Sequence, residues 1–91
     1  MLKITTQENT SGMTFELEGK LAGPWVPELK SCWQRAVAAE QPVRVMLKAV
    51  TFIDDVGKGL LADMHRKGAE LTGEGCMTKA IVEEIKEGGR S

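Results

Sequence analysis

The segment from Val43 to Val50 sets the strongest limit on what this chain can become. Val43, Val45, Leu47 and Ala49 alternate with Arg44, Met46, Lys48 and Val50, the period-two pattern of a strand with one apolar and one more polar face. A strand covered by helices on both sides reads instead as a near-continuous apolar run. The alternation therefore calls for a sheet whose helices gather mainly on one face, leaving the other largely open to water.

The same period recurs upstream, where Leu2, Ile4 and Thr6 alternate with Lys3 and Thr5, and Met13, Phe15 and Leu17 with Thr14, Glu16 and Glu18. Between these runs Gln7-Glu8-Asn9-Thr10-Ser11-Gly12 is turn chemistry, which predicts an antiparallel hairpin with a somewhat long loop. Gly23-Pro24-Trp25-Val26-Pro27 stops the second strand, and Pro27 suits a first helical turn, where its missing N–H costs least. Leu29, Cys32, Trp33, Ala36 and Val37 then form an apolar stripe at helical spacing, with Glu28, Lys30, Gln34 and Arg35 outward, in a helix ending near Glu40.

After the Val43–Val50 strand, Asp54-Asp55-Val56-Gly57 turns the chain into a second helix. Its inward side is predicted as Val56, Leu60, Leu61 and Met64, with Lys58, Asp63, Arg66 and Lys67 outward and Gly68 as the stop. Ala69 to Leu71 reads as a short fourth strand, Thr72-Gly73-Glu74-Gly75 as a turn, and a last helix from about Thr78 buries Ile81, Val82 and Ile85. The expected class is α/β, a small mixed sheet with helices mainly on one face in the order β-β-α-β-α-β-α. Right-handed crossovers, added successively in one direction, place their helices on the same side, in agreement with the alternation. One domain is expected over residues 1–91, with a core at 2–86 and a flexible tail at 87–91.

A formal charge of −1 with both signs interspersed offers no basic stripe, so neither nucleic acid nor a membrane surface is an expected partner. No apolar run approaches the roughly 20 residues that cross a bilayer, and Met1-Leu2-Lys3 leads straight into alternating sequence, so a cytoplasmic location is expected. Cys32 and Cys76 lack a CxxC spacing or a neighbouring His, which makes them reduced thiols used as small apolar fillers.

Asp54-Asp55 is the one candidate site. An acid at a helix start accepts from the free N–H groups and meets the positive end of the helix dipole, which by itself describes a cap. A phosphate-acceptor or magnesium site would need carboxylates from more than one strand end, and the first strand ends in Thr5-Thr6-Gln7. Gly57-Lys58-Gly59 lacks the length and the following Ser or Thr of a phosphate loop. His65, the sole histidine, reads as a solvated surface residue with no nucleophile placed for it. Trp33 belongs to the buried stripe, whereas Trp25 suits either a lid on the core or a contact anchor beside the acidic loop. No base-and-nucleophile pair is recognisable, so an enzyme is not expected, and no cofactor or metal is implied.

The stretch Val50-Thr51-Phe52-Ile53-Asp54-Asp55-Val56-Gly57-Lys58-Gly59-Leu60-Leu61 resembles the signature of the STAS domain, named from sulphate transporters and anti-sigma factor antagonists. Gly19-Lys20-Leu21 is similar to the Gly-x-Leu-Asp that leads into that family's first helix, with Ala22 where the Asp often stands. The resemblance covers about residues 2 to 86. It implies a non-enzymatic regulator docking onto a protein partner, commonly an anti-sigma factor with a kinase-like ATPase fold. The implied surface is Asp54, Asp55, Val56, Gly57 and Lys58 with Gly23 and Trp25. The family's switch is phosphorylation of a Ser or Thr directly after the motif's Asp; here Asp55 and Val56 follow, and neither has a hydroxyl. Some STAS-like domains hold a nucleotide or another small ligand instead, which is the alternative expectation. Oligomeric state is left open.

Overall fold

In the computed structural model, which describes residues 2–87, the elements run β1 (Leu2–Asn9), β2 (Gly12–Leu21), α1 (Trp25–Ala38), β3 (Val43–Ile53), α2 (Asp55–Arg66), β4 (Glu70–Gly73) and α3 (Cys76–Lys86). The predicted element order holds. The predicted tail lies almost wholly outside the described residues; Glu87 caps the end of α3.

The four strands lie in sequence order in one mixed sheet, β1 antiparallel to β2 and the rest parallel. Phe15, Leu17, Val45, Leu47 and Leu71 are buried on the helix-covered face. Neighbouring positions Thr14, Glu16, Met46 and Thr72 remain partly solvated, and Lys48 and Glu70 are exposed. This is the one-sided arrangement that the alternation in β3 requires. The core is one cluster in which Val26, Leu29, Trp33 and Ala36 of α1, Leu60, Leu61 and Met64 of α2, and Val82 and Ile85 of α3 close over those strand residues.

Several predicted details are corrected. The hairpin loop is short: Asn9 pairs with Gly12 and only Thr10 and Ser11 connect the strands. Asn9 Oδ1 accepts from the Ser11 N–H at 2.9 Å and its hydroxyl at 2.8 Å, so the polar residues before it are free to stay in the strand. In α1 the stripe begins at Val26 and Val37 is 49% exposed, because the helix starts at Trp25 and ends at Ala38. Its last turn closes with Glu40 at φ 57° and the Gln41 N–H donating to Ala36 O at 3.1 Å, a left-handed cap built without glycine. Gly68, at φ 101°, ends α2 the same way, as predicted. β4 begins one residue later than expected and ends two later, taking in Thr72 and Gly73 of the predicted turn, and α3 starts at Cys76 rather than about Thr78. There the buried Thr78 hydroxyl accepts from the Gly75 N–H and donates to Gly75 O, both at 3.0 Å. Ile81 is only partly buried. Cys32 is half-buried, Cys76 is exposed, and both are free thiols.

The largest departure is within β3. The alternation holds from Val43 to Leu47 and then breaks: Ala49 is exposed, whereas Val50 and Ile53 are buried. The pairing with β2 explains it. Leu17 faces Leu47 but Glu18 faces Ala49, and Gly19 faces Val50 but Lys20 faces Phe52. Lys48 and Thr51 are therefore extra residues, two bulges in a parallel pair, where bulges are uncommon. Gly19, at φ 106°, lies between the two irregularities. Each inward residue of β2 thus keeps an inward partner on β3.

Candidate functional site

Past their last pair, Leu21 with Ile53, β2 and β3 deliver the two segments that the sequence marked. From β2 the chain makes a turn through Gly23, at φ 59°, into α1; from β3 it passes through Asp54 into α2. The Asp54 N–H donates to Leu21 O at 3.2 Å, so the two exits stay side by side.

Asp54 is the N-cap of α2. Its Oδ1 accepts from the Gly57 N–H at 2.7 Å, and its Oδ2 accepts from the Gly23 N–H at 3.0 Å. These backbone donors, Gly57 first and Gly23 second, hold the Asp54 carboxyl below the usual carboxylate range, and desolvation opposes them. The structure thus joins Gly23 and Asp54 through a hydrogen bond across 31 residues of sequence.

Asp55 occupies the first helical position and is exposed. Val56 is 66% exposed, which corrects its predicted inward place. Gly57 takes the buried position instead, because the helix rests there directly on the end of β2: a Cβ at Gly57 would lie 2.6 Å from Leu21 O. Lys58 turns toward α3, its Nζ 3.1 Å from Glu84 Oε1. Trp25, first residue of α1, is half-buried and packs against the core, between the two roles considered for it. His65 is also half-buried rather than solvated, and its Nδ1 is enclosed with no hydrogen-bond partner among the described residues.

Phe52, which sequence reasoning did not single out as a contact residue, is 49% exposed. The second bulge sends it outward, two residues before Asp54. Phe52 and Val56 thus stand two residues before and one residue after the Asp54-Asp55 pair in sequence, both as large apolar side chains exposed to water. Among the described residues no group of three His, Cys, Asp or Glu side chains gathers as a metal-ligand set, and no helix is long and apolar enough to cross a membrane.

No known family profile and no curated protein matches this sequence. Among solved structures, the chain is similar to a crystal structure of an anti-sigma factor antagonist from Mycobacterium paratuberculosis, with a TM-score of 0.81 over 96% of this chain and 80% of that one. At 19% identity the likeness speaks for the fold. The order of the elements, the mixed four-stranded sheet and this neighbour agree with the resemblance read from Val50 to Leu61: the chain has the STAS fold, that of an anti-sigma factor antagonist.

Proposed function

We propose that this chain is a non-enzymatic, protein-docking regulatory domain of the anti-sigma factor antagonist kind, acting in the cytoplasm. Its docking surface comprises Gly23 and Trp25 on one segment and Asp54 to Lys58 on the other, extended by Phe52. The observation that carries this reading is the exposure of Val56 and Phe52 on either side of the acidic helix start. Interface centres are enriched in aromatic and other apolar side chains with charges toward the rim, and a few residues carry most of the binding energy, an arrangement that Phe52, Trp25 and Val56 with the acidic pair beside them would suit.

The partner that fits this reading is an anti-sigma factor or a related kinase-like ATPase. The positions that follow Asp54 are Asp55 and Val56, so no hydroxyl is available there for a phosphate. Asp55 supplies a single permanent negative charge where a phosphate would bring nearly two and three acceptor oxygens. Docking at this surface is then constitutive with respect to modification at that point.

The test is capture from the native host followed by calorimetric titration of the purified kinase-like or anti-sigma protein. Asp55→Lys and Val56→Asp should each weaken binding by about tenfold or more. Unchanged affinity in Asp55→Lys would place the docking surface elsewhere. A protein that captures no partner but is stabilised by a nucleotide in a thermal melt would favour the ligand-binding alternative.

A further inference from the structure

We infer that Asp54 is a positioning residue, whose one carboxylate braces the turn before α1 and the first turn of α2 against each other and so presents Trp25 and Val56 as a single surface. This rests on the docking reading for what the two segments do, and on geometry alone for how they are joined.

The first turn of α1 has little of its own to fix it. Its N-cap is Pro24, which makes no side-chain capping bond. Gly23 is exposed, adopts a left-handed conformation, and a Cβ built there would meet nothing within 4 Å among the described residues. The backbone bonds of this turn, Trp25 N–H to Ala22 O and Val26 N–H to Gly23 O, are both long at 3.2 Å. The Gly23 N–H is tied instead to Asp54 Oδ2 at 3.0 Å. The other oxygen of the same group caps α2 through Gly57. One acid therefore serves the starts of two helices, with both bonds to a charged acceptor, which are stronger than neutral ones.

The charged residues nearest in the chain are not equivalent to it. Asp55 is exposed, and neither of the two amides bonds to it; Lys58 is engaged by Glu84; Lys20, at the end of β2, and Glu28, in the first turn of α1, are exposed. None of these supplies a second brace.

Hydrogen exchange read by NMR on the free protein tests the inference. Asparagine keeps one acceptor oxygen and is a good N-cap, so Asp54→Asn should leave Gly57 protected while Gly23 exchanges about fivefold faster. Asp54→Ala should release both amides by a clearly larger factor than it accelerates Val45 and Leu47, whose exchange reports the global stability lost with the cap. Gly23 exchange equal to wild type in both variants would overturn the inference. So would a uniform acceleration that includes Val45 and Leu47, which marks general loss of stability. No partner enters this measurement, so its failure leaves the docking surface standing, and unaltered binding in Asp55→Lys leaves the brace standing.

Discussion

Gly57 and Gly59 lie in the same turn of α2 and should respond oppositely to the same substitution. Alanine at a helical glycine recovers about 0.5 to 1 kcal/mol, chiefly backbone entropy. At Gly59 nothing among the described residues lies within 4 Å to oppose it, and Gly59→Ala should stabilise the fold by about that amount. At Gly57 the new methyl would lie 2.6 Å from Leu21 O and 3.1 Å from both Ile53 Cγ2 and Leu21 Cγ. The carbonyl cannot simply turn aside, because it accepts the Asp54 N–H. Forcing a methyl into filled space costs about 1 to 3 kcal/mol, so Gly57→Ala should be a net loss of about 1 to 2 kcal/mol. In a domain of this size each kcal/mol moves the melting temperature by about 4 to 8 °C, which puts the two variants roughly 10 °C apart on either side of wild type. Calorimetric melts and urea midpoints would measure it. If Gly57→Ala melted at or above Gly59→Ala, the idea that α2 rests directly on the Leu21 backbone would be refuted.

Glu40 holds a left-handed conformation at φ 57° that costs a non-glycine residue about 1 to 2 kcal/mol. Glu40→Gly should therefore raise stability by about 0.5 to 1 kcal/mol after the added freedom of the unfolded chain is subtracted. A lower urea midpoint would contradict this. The folded Asp54 carboxyl titrates below its unfolded value, so its contribution is complete above the unfolded pKa and disappears as pH falls through the folded one. Stability curves taken downward from about pH 4 should fall less steeply in Asp54→Asn than in wild type, and parallel curves would count against the brace.

The order of elements was legible because strand and helix periods differ and the Gly and Pro residues mark the changes between them. Faces were legible up to Leu47. Beyond it the sequence Lys48-Ala49-Val50-Thr51-Phe52 carries no mark of a bulge, since a bulge is a matter of backbone pairing with β2 and not of side-chain type. That hid the outward turn of Phe52. Val56 misled for a related reason: periodicity assigns burial to apolar residues, whereas close approach to Leu21 demands the residue with no side chain. The acidic helix start was plain from Asp54-Asp55. Its bond to Gly23 was not, because no local pattern reports a contact across 31 residues.

The bulges also give β3 slack in its interior. Strands ordinarily tolerate gain or loss of residues only at their ends, because a one-residue slip sends every later side chain to the wrong side. Here the removal of Lys48 or Thr51 would leave Val50 and Ile53 opposite Gly19 and Leu21 as before, whereas removal of Val45 would not. A central strand of this sheet can thus shorten by two while still handing Asp54 to the same rim.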